Sequence, residues 1–116
     1  MNFLFVCTGN VSRSPAAEGV FRLITSGVHE SRSAGISPFC PRPISREDVG
    51  WAHVVAVMED DHRAFIVERW PEAARKVRVL EIEDRYRRDV PVLLRLLEEK
   101  LGMLLAEIET GGMIGS

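Results

Sequence analysis

The sequence predicts a small α/β domain: three layers, doubly wound, around a four-stranded parallel sheet, with a functional loop directly after the first strand. Three observations carry this. Residues 3–6 and, apart from His53 near its start, 52–58 are apolar or β-branched without polar alternation, as suits strands buried on both faces of a parallel sheet. Strand-like and helix-like segments alternate along the chain, which calls for right-handed crossovers and helices on both faces. The chain has 116 residues, enough for one such core and too few for two, so residues 1–116 are expected to form a single domain.

The elements follow in order. After the first strand, residues 8–12 hold Gly9 and Asn10, the two residue types that most readily take positive φ and let a loop curl. Pro15 suits the first turn of a helix, with Ser14 as its cap and Glu18 favourable in its opening turn. That helix should bury Ala17, Val20, Phe21 and Ile24 and end at Gly27. Residues 30–34 are short and polar, an edge strand closed by Ser33-Ala34-Gly35. Pro38, Pro41 and Pro43 forbid regular structure in residues 36–44 and stiffen a surface loop that carries Phe39 and Cys40. Ser45, followed by Glu47 and Asp48, begins a short helix running to about Trp51.

The buried strand at residues 52–58 leads into Glu59-Asp60-Asp61. Three acids there raise metal ligation, but capping by Asp60 or Asp61 of the helix through His62, Phe65, Ile66 and Arg69 is the stronger reading. His29, His53 and His62 lack any ligand spacing with the cysteines, so zinc is not indicated. Trp70-Pro71 breaks the helix, residues 72–75 make one further turn, and residues 77–82 form the last strand. A charged loop, residues 83–89, ends at Asp89, which caps a final helix over residues 90–108. Leu93, Leu94, Leu97, Leu101, Leu104, Leu105 and Ile108 form its apolar face, and residues 111–116 should fray.

Composition narrows the function classes. A net charge of −2 gives no basic footprint, so nucleic acid is not an expected partner. Residues 1–6 are too short and too uncharged for a signal peptide, and no apolar run approaches membrane-spanning length. A cytoplasmic protein without a membrane partner is expected. The two cysteines, Cys7 and Cys40, are then free thiols.

The loop after the first strand is the chemical centre. It begins a helix, where unsatisfied N–H groups and the helix dipole attract an anion. Cys7 and Arg13 stand at its two ends, separated by five residues. A thiol at a strand end, surrounded by inward-pointing amides and near an arginine, is favoured as thiolate. Ser14, Ser12 or Thr8 can favour it further through a hydrogen bond to sulfur. The Arg13 guanidinium offers a bidentate fork to a tetrahedral oxyanion and to the charge of a transition state. Cys-x5-Arg alone is a weak signal, but here a buried strand precedes it and a helix start follows. The fold brings loops 7–14 and 83–89 to the same end of the sheet. An acid from the second can protonate a leaving group while Cys7 attacks phosphorus.

Cys7-Thr8-Gly9-Asn10-Val11-Ser12-Arg13-Ser14-Pro15 resembles the C-x-G-N-x-x-R-S-P signature of the low-molecular-weight protein tyrosine phosphatases, and three shorter segments follow in that family's order: Ser33-Ala34-Gly35, Val57-Met58-Glu59-Asp60 and Ile82-Glu83-Asp84-Arg85-Tyr86. The resemblance implies that Cys7 is a nucleophile forming a phosphocysteine and that Arg13 binds phosphate and stabilises the transition state. Asp84 is then the general acid and afterwards the base, with Asp89 as the fallback because Arg85 replaces the family's usual proline. Asn10 would hold the loop in shape and Ser14 would stabilise the thiolate. Thr8, Gly9, Asn10, Val11, Ser12 and Ser14 complete the phosphate site; for Tyr86 two readings stand, stacking on a substrate ring or a place in a solvated charged loop. No metal or cofactor is implied.

Departures from the family pattern bear on specificity. Ser12 stands where many members have a second cysteine, which leaves Cys7 more open to irreversible oxidation. Val11 is apolar as in tyrosine-directed members, whereas threonine there accompanies phosphoarginine preference. The segment between Gly35 and Ala52 is short, and Phe39 or Trp51 is left to supply the aromatic wall of the cleft.

The leading expectation is a cysteine-dependent phosphatase acting on phosphate monoesters, foremost protein phosphotyrosine, with a phosphorylated protein or small phosphate ester as its partner. The alternatives are an arsenate reductase using the same oxyanion loop, and a non-catalytic phosphate-binding regulatory module.

Overall fold

The structure, a computed structural model, describes residues 1–85 and 90–114, with residues 110–114 described as backbone. Among the described residues the strands are β1 (Asn2–Cys7), β2 (Glu30–Gly35), β3 (Val54–Val57) and β4 (Val77–Val79). They form one parallel sheet in the order β2-β1-β3-β4. The helices are α1 (Arg13–Ile24), α2 (Arg46–Trp51), α3 (Asp60–Arg69) and α4 (Pro91–Ile114), with a 3-10 turn at Pro71–Lys76. The three-layer α/β architecture is the one the sequence predicts, with β2 at an edge.

β1 is central and hydrogen-bonded on both sides, and Phe3, Leu4, Phe5 and Val6 are fully buried. Its alternating side chains enter two cores. Phe3, Phe5 and Cys7 pack with Phe21 of α1, Met58, and Leu93, Leu97 and Leu101 of α4. Leu4 and Val6 pack with Val49 of α2, Val55 and Val57 of β3, and Ile66 of α3. Truncating a buried phenylalanine costs about 3–5 kcal/mol. The strand that ends in Cys7 is therefore anchored from both faces.

The predicted boundaries need correction in several places, each with a local cause. α1 begins at Arg13 with Ser12 in the cap position, not Ser14, while Pro15 stays within the first turn as expected; the Ser14 hydroxyl is engaged by the loop instead. Ile24 is partly exposed, because Ala16, Ala17 and Phe21 already supply the buried face. Asp60 and Asp61 do not cap α3: Glu59 does, in a capping box closed by His62. β4 stops at Val79 because Glu81 takes φ 58°, although the amides of Leu80 and Ile82 still donate to Val57 and Met58 carbonyls. The backbone of α4 continues to Ile114, beyond the predicted fraying point, while residues 115–116 and the proposed Asp89 cap lie outside the described residues. Ser45 caps α2 as predicted, in a reciprocal box with Asp48. No helix among the described residues is long and apolar enough to cross a membrane.

Candidate active site

The carboxyl end of β1 delivers Cys7 into a tightly cornered loop. Its register partner is Gly35 on β2. A Cβ built on Gly35 would lie 2.7 Å from the Thr8 carbonyl oxygen, 2.7 Å from Cys40 Sγ and 3.0 Å from the Asn10 nitrogen. Only glycine lets the edge strand run this close behind the loop. The chain after Gly35 ties itself to the same turn, with the Ile36 and Ser37 amides donating to the Cys7 and Thr8 carbonyls, each at 3.0 Å.

Asn10 supplies the curl the loop requires, at φ 51°; Gly9, the other residue predicted to do so, has no positive φ. That turn lets the Asn10 amide donate to Cys7 Sγ at 3.2 Å. Asn10 Nδ2 donates to Ser14 Oγ at 2.9 Å, and Ser14 Oγ lies 3.0 Å from Cys7 Sγ and 3.3 Å from the Ala34 carbonyl. Of the three hydroxyls that sequence reasoning left open, Ser14 is the one at the sulfur. With the Asn10 amide donating into it, the Ser14 oxygen has a single proton to give. A thiolate is the stronger acceptor for that proton and has the shorter contact.

Arg13 is buried at the start of α1, and its guanidinium turns toward the elements after β3 and β4. Nη1 donates to Glu59 and, at 2.8 Å, to the Ile82 carbonyl. Nη2 faces Asp84 Oδ2 at 3.7 Å. The bend at Glu81 is what brings the Ile82 carbonyl and Asp84 to the arginine. Asp84 itself is 68% exposed at the side chain.

Glu59 and His62 are site residues that sequence reasoning missed: Glu59 entered only as one of three acids and as part of a family-like segment, and His62 only as a residue of the following helix. Their spacing carried a signal: an acceptor at the N-cap with a reciprocal partner three residues on is the capping-box pattern, here with histidine in place of glutamate or glutamine. The Glu59 amide donates to His62 Nδ1 at 3.0 Å, and His62 Nε2 lies 2.9 Å from Thr8 Oγ1. Burial lowers the His62 pKa from its ordinary value near 6.5; Asp61 opposes this, Arg13 adds to it, and Glu59 and Asp84 oppose it. Glu59, Asp61 and His62 place potential metal-ligand atoms within 4.8 Å of one another, but both imidazole nitrogens and the Glu59 carboxylate already have the protein partners named above.

The remaining predicted residues divide. Val11 is 65% exposed at the loop, and Ser12 and Gly9 lie beside it, partly exposed. Phe39 is 94% exposed on the proline-rich loop. Trp51 lies at the opposite end of β1, its carbonyl accepting from Asn2 Nδ2 and its ring under Arg32, so it cannot wall the cleft. Tyr86 and Asp89 lie outside the described residues.

A parallel sheet that delivers a buried thiol and a guanidinium to one anion loop at a helix start has the build of a cysteine-dependent phosphatase. The profile of the family described as low molecular weight phosphotyrosine protein phosphatase matches residues 2–40. A protein-arginine-phosphatase from Geobacillus stearothermophilus is 30% identical over 100 residues, spanning 67% of this chain and 68% of that protein. The structure of YwlE arginine phosphatase from Geobacillus stearothermophilus superimposes with a TM-score of 0.77 at 26% identity, covering 99% of this chain and 97% of that one. The low molecular weight protein tyrosine phosphatase from T. tengcongensis gives a TM-score of 0.73 at 28% identity, over 95% and 99% of the two chains. The corresponding enzyme from Streptococcus pyogenes, at 20% identity and a TM-score of 0.80 over 92% of each chain, shares the fold. This chain belongs to the low molecular weight phosphotyrosine protein phosphatase family. It is a cysteine-based phosphoric monoester hydrolase, and the comparisons do not favour arsenate reduction.

Proposed function

We propose that the chain removes phosphate from a phosphorylated protein, foremost from phosphotyrosine, in two steps through a phosphocysteine at Cys7. The observation that carries the reading is the sulfur's position. It accepts from the Asn10 amide, faces the Ser14 hydroxyl, and stands in the same loop as a buried arginine whose outer edge meets Asp84.

In the first step the Cys7 thiolate attacks phosphorus as the bond to the leaving oxygen breaks, and Asp84 gives that oxygen its proton. Arg13 and the loop amides hold the equatorial oxygens; with Nη1 committed to Glu59 and Ile82, the Nε and Nη2 edge is the fork that grips them. In the second step Asp84, now a carboxylate, takes a proton from water, whose oxygen attacks phosphorus. The S–P bond breaks, the thiolate returns, and inorganic phosphate leaves. Exposed Val11 gives the loop an apolar surface suited to an aryl group. A reducing compartment such as the cytoplasm would keep Cys7 and Cys40 as thiols.

The test is chelator-treated hydrolysis of a phosphotyrosine peptide and a phosphoarginine peptide side by side, wild type against Cys7→Ser, with mass detection of phosphorylated Cys7 after acid quench. The expected result is wild-type turnover favouring phosphotyrosine, a trapped adduct, and a silent Cys7→Ser protein that still binds phosphate. Preference for phosphoarginine, the substrate named for the Geobacillus relative, would overturn the substrate assignment and leave the covalent route standing. Turnover by Cys7→Ser would overturn the route.

A further inference from the structure

His62 is fully buried, lies outside the loop signature and has no step in the reaction above, yet it touches both halves of the site. Because Nδ1 accepts the Glu59 amide proton, it carries no proton of its own, and the neutral ring must hold its hydrogen on Nε2. That Nε2–H then donates to Thr8 Oγ1 at 2.9 Å. Thr8 is the residue directly after the nucleophile. Glu59, whose backbone the other nitrogen holds, is the carboxylate on Arg13 Nη1. One ring therefore joins the nucleophile end of the anion loop to the group that aims the arginine.

We infer that His62 is a positioning residue for phosphoryl transfer, holding Thr8 through Nε2–H and Glu59 through Nδ1 so that the anion loop and Arg13 keep one mutual register. The inference rests on the assignment of Cys7 and Arg13 to the reaction. A second proton on the ring would turn Nδ1 from acceptor to donor against the Glu59 N–H, and the Glu59 arm would open. The groups that face the ring among the described residues are Asp61 on the same helix, with Oδ1 4.0 Å from Nε2, Glu59 at its cap, Arg13 on α1 and Asp84 beyond β4. Burial opposes a charge on the ring more than any one of these groups affects it, so the clamp survives into mildly acid solution.

The experiment compares His62→Leu and His62→Gln with the wild type. The readouts are kcat and KM on an aryl phosphate across pH, inhibition by inorganic phosphate, and thermal unfolding. Glutamine is the ordinary capping-box partner at this position: its amide oxygen accepts the Glu59 N–H, its amide NH2 donates to Thr8, and it does not titrate. The expected result is at least a tenfold fall in kcat/KM for His62→Leu, with inorganic phosphate binding weakened in parallel. For His62→Gln we expect most of the rate to return and the acid limb of the profile to move to lower pH.

A coupling measurement adds a second line. Thr8→Val should reproduce part of the loss, and in the double variant with His62→Leu the two losses should not add. Equal rates and identical pH profiles in all three proteins, or fully additive losses, would overturn the inference. If His62→Leu fails to fold, His62→Gln and Thr8→Val still decide it. Failure of the phosphatase reading itself is distinguishable, because it appears as a silent wild type. Binding of inorganic phosphate to the same variants then tests the clamp directly, and unchanged affinity would overturn it.

Discussion

Replacing Ser14 with alanine removes one oxygen and three contacts. The hydroxyl is fully buried, 3.0 Å from Cys7 Sγ, 3.3 Å from the Ala34 carbonyl, and the acceptor for Asn10 Nδ2 at 2.9 Å. Two costs follow, and they are read in different assays. The Asn10 amide group loses its partner in a buried setting, which costs about 1–3 kcal/mol of folding stability and lowers the unfolding midpoint. The sulfur loses a hydrogen bond that is worth about 1.5–3 kcal/mol when the acceptor is charged. In the proposed route the thiolate is the attacking group of the first step and the departing group of the second, so the missing donor is felt most where sulfur must leave phosphorus. Removing about 1.5–3 kcal/mol there slows phosphocysteine hydrolysis about ten- to hundredfold. With an aryl phosphate whose phenol leaves readily, Ser14→Ala should therefore show a burst of phenol followed by slow turnover. Acid quench during the slow phase should trap more phosphocysteine than in the wild type. A variant that turns over at the wild-type rate with no accumulated adduct would mean that the Ser14 hydroxyl does not serve the sulfur.

Three further outcomes are expected. Asp84→Asn should lower kcat about 10²- to 10⁴-fold on substrates with poor leaving groups and far less where an activated phenol leaves unaided; if Asp89→Asn shows that pattern instead, the acid is Asp89. Gly35→Ala should lose activity and about 1–3 kcal/mol of stability, because the added Cβ meets the Thr8 carbonyl, a backbone atom that cannot rotate away. Combining it with Cys40→Ala should not restore the protein, and full rescue would place the conflict at the sulfur alone. Stability should also depend on pH through His62. Its folded pKa is depressed below the ordinary value near 6.5, so the unfolded chain binds the proton first and stability falls as pH drops from about 6.5 through the folded value. Denaturant titrations of His62→Gln should lack that part of the slope, and an unchanged slope would assign it to other groups.

The parts of the molecule legible in its sequence have local causes. Unbroken apolar runs mark β1 and β3, the Ser45 box marks α2, and the leucine spacing marks the buried face of α4. The contiguous Cys7 to Pro15 signature is enough by itself to locate the anion loop. Less legible are features that depend on partners distant in the chain. Glu59 reads in its own segment as one of three acids after a strand and becomes an arginine partner only when β1 and β3 lie side by side. The Ile82 carbonyl has no side-chain signature, and its turn toward Arg13 follows from a positive φ at a glutamate, which sequence propensity would not choose. Ser14 reads as a helix cap because serine before proline usually is one. The competing demand of the sulfur and Asn10 moves the cap to Ser12.

The place of β1 in the sheet has a consequence for how the molecule opens. The strand that ends in Cys7 is paired on both sides and buried in both cores, so no small fluctuation exposes its backbone. Its amide hydrogens should exchange with solvent only through global opening, while those of the exposed loop around Phe39 exchange through local excursions. Protection of residues 4–6 in a deuterium-exchange experiment thus becomes a measure of the whole fold's free energy. The thiol then sits on the part of the protein that comes apart last.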